Sequence, residues 1–168
     1  GIARDSDAQR AEQMRSLRSL LTQQQLSPAN PRAGRQVFDR VCASCHTLYG
    51  QGGKLAPDLT GSQRSNLDYL LENIVDPSAV VNKDFCATVV MLEDGRVLTG
   101  LVTERNEQVV TLATQEQTLH IASEDISQLK QSAISTMPDG LLSSLTPEQL
   151  VDLFAYLQSF QQWEPEPQ

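Results

Sequence analysis

The chain has 168 residues, 39% of them hydrophobic and 5% aromatic, with 21 acidic against 13 basic side chains for a formal charge of −8. That suits one domain, or a small domain with an insertion, and the acidic balance leaves no basic patch for neutralising phosphates, so nucleic acid is not expected as a partner. No apolar run approaches the ~20 residues that span a bilayer, and the polar start GIARDSDAQR lacks the apolar core of a secretory signal, so a mature form or a piece of something longer is expected.

In chain order, residues 5–26 carry Met14, Leu17 and Leu21 at helical spacing among Gln, Arg and Ser. They read as a moderately amphipathic helix linking to a preceding domain, so residues 1–30 are set apart from 31–168. SPANP, residues 27–31, breaks it. Asn30-Pro31 is an N-cap and first-turn pair, and the helix it opens carries Val37, Phe38 and Val41 on one side. Gly34, one turn before Phe38, leaves room for another helix to approach. LYGQGGKLAPDLTGS reads as an aperiodic Gly- and Pro-rich loop, followed by a helix from about Arg64 to Val75 that ends at Asp76-Pro77-Ser78.

Between about Asn82 and Leu129 the texture becomes β-rich, with about four short antiparallel strands from Phe85 to Ile121. Asp94-Gly95 suits a two-residue type I′ hairpin. From Ser123 the pattern returns to helix and loop. Thr146-Pro147-Glu148-Gln149 is a capping box, and the last helix presents Leu150, Leu153, Phe154, Leu157 and Phe160 as a stripe, with WEPEPQ fraying beyond it.

Chemistry is concentrated in VCASCH, residues 41–46. Two cysteines three apart with a histidine directly after them form the attachment signal of a c-type haem. Cys42 and Cys45 on one side of a helical turn reach the two vinyl groups, and His46 then faces the iron. A second axial ligand is sought among His120, Met14, Met91 and Met137. Met137-Pro138 is favoured, because proline prevents regular pairing and stiffens the approach of the sulfur, and a thioether raises the reduction potential. Met91 is expected in the core of its strand, and His120 at the surface or in the core. The same cysteines and histidine with Cys86 or His120 would also make a tetrahedral zinc set, although adjacent Cys45 and His46 are poorly spaced for one metal. Cys86 is the odd thiol, expected as a small buried side chain.

GRQVFDRVCASCHTLYGQGGKLAPDLTG resembles the N-terminal half of a class I cytochrome c, and STMPDGLLSSLTPEQLVDLFAYLQSF resembles its C-terminal half. VDPSAVV, EDGRVLTGLVTE and SAISTMPDGL more narrowly resemble the planctomycete and verrucomicrobial haem-binding domain family, over about residues 32–160. The resemblance implies a mainly α, cytochrome c-like helical fold around one covalent haem c, with a small antiparallel β-sheet of about four strands inserted at about residues 82–129. It implies a hydrogen bond from the His46 ring to the Pro57 carbonyl, Leu59 among the haem contacts, and Gly34 and Phe38 crossing the last helix near Phe154, Tyr156 or Leu157. The inserted sheet is expected to cover a haem edge or to dock a partner.

The leading expectation is an electron-transfer module with His46/Met137 ligation and no substrate chemistry of its own. Its partner would be a redox protein or a fused dehydrogenase, in a periplasm or otherwise exported, because haem c is attached outside the cytoplasmic membrane. The alternative is a haem-based gas sensor or peroxidase-like enzyme with a labile or absent sixth ligand. No distal His/Arg pair of the kind peroxide cleavage wants is apparent.

Overall fold

The computed structural model describes residues 7–23, 28–114 and 116–165. The outer ends of the helix expected over 5–26, Ser27 of SPANP, and 166–168 of the tail lie outside them. The chain divides into two units. Residues up to Ala79 and from Pro138 onward form a helical unit, and Val80–Met137 form a β unit.

The helical unit is built from α1 (Asp7–Gln23), α2 (Pro31–Val41), α3 (Leu67–Val75) and α4 (Pro147–Leu157). Each of the last three starts at a side-chain cap. Asn30 Oδ1 accepts from the Arg32 and Ala33 amides, Asn66 Oδ1 from Asp68 and Tyr69, and Thr146 with Gln149 closes a reciprocal capping box. The Asn66 cap explains why α3 begins three residues later than its apolar pattern suggests. Burial pulls Val37, Phe38, Leu70, Leu71, Leu150, Leu153, Phe154, Tyr156 and Leu157 into one core.

The closest approach is α2 across α4. A Cβ on Gly34 would overlap the Asp152 backbone carbonyl and stand 2.9 Å from Tyr156 Cβ, so only glycine permits this crossing. Phe38 and Tyr156 then meet edge to face, their centroids 5.5 Å apart. The buried Asp152 carboxylate accepts the Asn30 amide at 2.7 Å, tying the start of α2 to α4.

Two expectations change here. Instead of standing clear as a linker, α1 lays Leu17 into the same core, with Met14, Leu20 and Leu21 packed beside it, and Arg10 Nε pairs with Asp76 at 3.0 Å. Phe160 leaves the apolar stripe and is 88% exposed, because α4 ends at Leu157 and Gln158 caps it.

The Gly-rich loop is not wholly irregular. β1 (Thr47–Leu48) and β2 (Gln51–Gly52) pair antiparallel, Leu48 opposite Gln51, around a two-residue turn. Tyr49 and Gly50 both have positive φ, 52° and 78°, as a primed hairpin turn requires.

The β unit is a five-stranded antiparallel sheet of β3 (Cys86–Leu92), β4 (Val97–Arg105), β5 (Val109–Ala113), β6 (Thr118–Ala122) and β7 (Ile126–Ser135), in the order β6-β5-β4-β3-β7. Val90, Leu92, Leu112 and Ile121 form its buried core. With four α-helices and this sheet among the described residues, the architecture is mixed α/β, which corrects the mainly α expectation.

β7 corrects the return to helix and loop expected after Ser123. Two register shifts in its pairing with β3, between Cys86 and Thr88 and between Met91 and Leu92, remove the period-two alternation that marks a strand. Met91 also departs from expectation. The pleat turns Val90 and Leu92 inward and leaves Met91 40% exposed.

The turn at Asp94-Gly95 is three residues long. Gly95 N–H donates to Leu92 O at 3.0 Å and Leu92 N–H to Arg96 O at 2.9 Å, and among the described residues at this turn only Gly95 has positive φ, 88°. A type I′ turn would need positive φ at Asp94 too, which this bulged turn avoids.

Candidate haem-attachment site

α2 runs directly into the cysteine pair. Cys42 caps it, its amide donating to Phe38 O at 2.8 Å, and the next turn continues with Cys45 and His46 amides donating to Cys42 O at 3.2 and 3.0 Å. This spacing sets Cys42 and Cys45 three residues apart on one turn, both half-buried and both free thiols.

The outward carbonyls of the turn are also satisfied. Gly53 N–H donates to Ala43 O at 2.7 Å, and Ala56 N–H to Cys45 O at 3.0 Å. The Gly-Gly pair is what allows this backing. A Cβ on Gly52 would strike the His46 carbonyl, and one on Gly53 would strike that of Ser44 and stand 3.1 Å from the Cys45 amide. Gly52 and Gly53 were not singled out from the sequence, although consecutive glycines beside a ligand motif signal close backbone approach.

His46 is held by its neighbour in APDL. Its Nδ1 lies 2.8 Å from the Pro57 carbonyl oxygen. A carbonyl only accepts, so Nδ1 carries the proton and Nε2 keeps its lone pair for a metal. Burial pulls the imidazole below its usual pKa, against an opposing pull from the Pro57 hydrogen bond, and so favours the neutral, ligating form. The Cys42 thiol is pushed up to about 12, by burial first and by Cys45 second. Leu59 packs against the helical core, as Cys42 and Tyr49 do, its amide donating to Thr47 O at 2.8 Å.

Cys42, Cys45, His46, Pro57 and Leu59 thus belong to one unit and one bonded segment. Their chemistry fits a haem c: two thiols on one turn for thioether bonds, an imidazole nitrogen oriented by its second nitrogen, and an apolar wall. Met137 is the last residue of the β unit, half-buried, its amide donating to Ser135 Oγ at 3.1 Å.

Each of the other ligand candidates has its place within its own unit. Met14 packs on the α1 side of the helical core, Met91 is exposed on β3, and His120 stands exposed on β6 with Nδ1 3.2 Å from Thr111 Oγ1. Cys86 is buried at the start of β3, its Sγ 3.7 Å from Asn82 O. Among the described residues no three His, Cys, Asp or Glu side chains converge as a metal set. A cavity of about 460 Å³ in the β unit lies between the β3–β4 turn and β6, and none of the haem-motif residues lines it. No helix among the described residues is long and apolar enough to cross a membrane.

A crystal structure of the pleiotropic translational regulator Hfq is similar at 23% identity and a TM-score of 0.28, over 39% of this chain and 88% of that one. Residues 31–83, which hold α2, the Cys42–His46 turn, Pro57 and α3, match the cytochrome c family model; this match supports a haem-binding, electron-transfer cytochrome and implies a covalently bound haem c.

Proposed function

We propose that the chain is a one-electron carrier in which Cys42 and Cys45 hold the haem by thioethers, His46 is the proximal ligand, Met137 the ligand opposite, and Pro57 and Leu59 orient and wall the proximal side. The observation that carries this reading is the His46 Nδ1 to Pro57 O hydrogen bond of 2.8 Å directly after two thiols on one turn. A bound haem supplies a one-electron iron couple. The chain's own residues anchor the ring, fix the imidazole tautomer and exclude water through the Leu59 side of the core. With His46 and Met137 both holding the iron, the haem would offer no open site for substrate, and catalysis would belong to a partner.

The helical unit is the cytochrome module in this reading, and the β unit is an insertion in it. Met137-Pro138, at the junction of the two units in chain order, supports the methionine assignment because Pro138 has no amide to donate to a ladder. The resemblance to planctomycete and verrucomicrobial haem-binding domains supports an exported protein working with a redox partner or a fused dehydrogenase. The net charge of −8 favours a basic docking surface on that partner and an encounter rate that falls as salt rises.

The test is the visible spectrum of protein made in a host that attaches haem c, oxidised and reduced, with and without CO. Sharp reduced haem c bands, a weak far-red sulfur-to-ferric band and indifference to CO are expected, and Met137→Ala should lose the far-red band and admit CO. A colourless protein overturns the haem assignment; CO binding by the unaltered protein overturns the Met137 assignment.

A further inference from the structure

Arg64 is only 7% exposed, yet its hydrogen bonds run to neutral oxygens. A buried cation ordinarily sits against a carboxylate. Here Nε donates to Leu59 O at 2.8 Å, Nη1 to Leu157 O and to Ser159 O at 2.9 Å, and Nη2 to Tyr49 Oη at 3.1 Å and Thr60 O at 3.2 Å. The guanidinium also lies over the Tyr49 ring, 5.1 Å from its centroid. Leu157 and Ser159 are at the carboxyl end of α4, where free carbonyls and the negative end of the helix dipole favour a cation.

The segment gripped on this side is the one that carries Pro57. Its other side is bonded to the residues following the cysteines: His46 Nδ1 to Pro57 O, Leu59 N–H to Thr47 O, and Tyr49 N–H to Thr60 Oγ1 at 2.8 Å. Tyr49 holds φ 52°, a left-handed conformation that is strained for a residue with a side chain. It is fixed there by its amide bond and by its hydroxyl, which donates to Ser159 O at 2.6 Å and accepts from Arg64.

We propose that Arg64, acting with Tyr49, is the positioning residue of the proximal site: by clamping Leu59 and Thr60 to the end of α4 it fixes where the Pro57 carbonyl stands against His46. It thereby sets the hydrogen bond that orients the imidazole and tunes its basicity as a ligand. This deepens the electron-carrier reading and rests on it for the role of His46.

The experiment follows proton exchange at His46 Nδ1–H by NMR in the haem-loaded full chain, for the unaltered protein, Arg64→Gln, Arg64→Lys, Tyr49→Phe and a Val75→Ala control. Val75 is buried in the same core and makes none of these bonds. Arg64→Gln should exchange about tenfold faster than the control at matched stability, the change expected for losing a hydrogen bond to a charged donor. Arg64→Lys should not restore slow exchange, because an ammonium keeps the charge without the planar fork that spans these acceptors. Tyr49→Phe, which removes one hydroxyl and keeps the ring, gives a smaller increase and serves if the Arg64 variants do not fold.

Exchange equal to the control in whichever of these variants fold overturns the inference, and rescue by lysine overturns it in favour of charge alone. A chain without haem fails the electron-carrier reading separately. The clamp is then scored on exchange of the Leu59 and Tyr49 amides, where faster exchange in the variants supports it and control-like exchange overturns it.

Discussion

The helical unit and the β unit reach a core by opposite routes. The helical unit closes over a long gap in sequence, with Gly34 on α2 seated against Asp152 and Tyr156 on α4. The β unit closes mostly between neighbours, β3 with β4, β4 with β5 and β5 with β6, and only β7 returns beside β3. The chain enters and leaves the β unit side by side, Cys86 opposite Ser135, with the Thr136 amide donating to Phe85 O at 2.9 Å. The comparison teaches that the helical unit's core depends on a long-range closure, whereas the β unit's core is largely local.

The sharpest way to break that comparison is Gly34→Val. A branched side chain cannot fit where even a Cβ overlaps the Asp152 carbonyl, and no flexible neighbour can yield. We expect a loss of more than about 3 kcal/mol from the helical unit. Hydrogen exchange should show α2 and α4 unprotected while the amides around Val90 and Leu112 stay protected. If the β unit loses protection equally, the two units unfold as one and the contrast fails.

Leu112→Ala is the reciprocal change. Leu112 is fully buried in the β core, and its truncation should cost about 3 kcal/mol. The haem spectrum should persist while exchange in β4 and β5 quickens. A variant that also loses haem absorption would show the β core to be needed for attachment.

What the sequence made legible follows the same division. The helical starts at Asn30-Pro31 and Thr146-Pro147, and the Cys42–His46 motif, are local patterns whose physics is complete within a few residues. The first four strands carried alternating β-branched runs. The fifth did not, because bulges in its pairing with β3 leave Ile126, Leu129 and Ser132 half-buried every third residue. The β1–β2 hairpin hid in strands two residues long, with Tyr49 occupying a left-handed position where Asn or Gly is usual. Arg64 was invisible for another reason: four of its five acceptors are main-chain carbonyls, including Leu157 O at 93 positions' distance. No side-chain pattern marks a carbonyl.

Smaller effects sharpen the comparison at the level of single turns. Thr146→Ala removes the hydroxyl that accepts the Gln149 amide at 3.2 Å, leaving half of the capping box. We expect about 1 kcal/mol of lost stability, confined to the helical unit and measurable by denaturant titration of α4 amide protection. A loss shared by the β-unit amides would again argue for one cooperative body.

The smallest effect belongs to the β3–β4 turn. Asp94 is held below the usual aspartate range, first by the Arg96 backbone amide at 3.0 Å and then by the Arg96 guanidinium at 2.8 Å. A depressed folded-state pKa contributes stability that is present above the unfolded carboxylate value and is lost as pH falls through the lower folded value. An NMR titration of the Asp94 carboxyl should therefore show protonation below the ordinary range in the unaltered protein. Arg96→Ala deletes the guanidinium and keeps the amide, the first of these causes, so a depression should survive. If the carboxyl returns to its ordinary value, the ion pair rather than the backbone turn holds it. The β unit would then be less purely a product of local backbone geometry than its topology suggests.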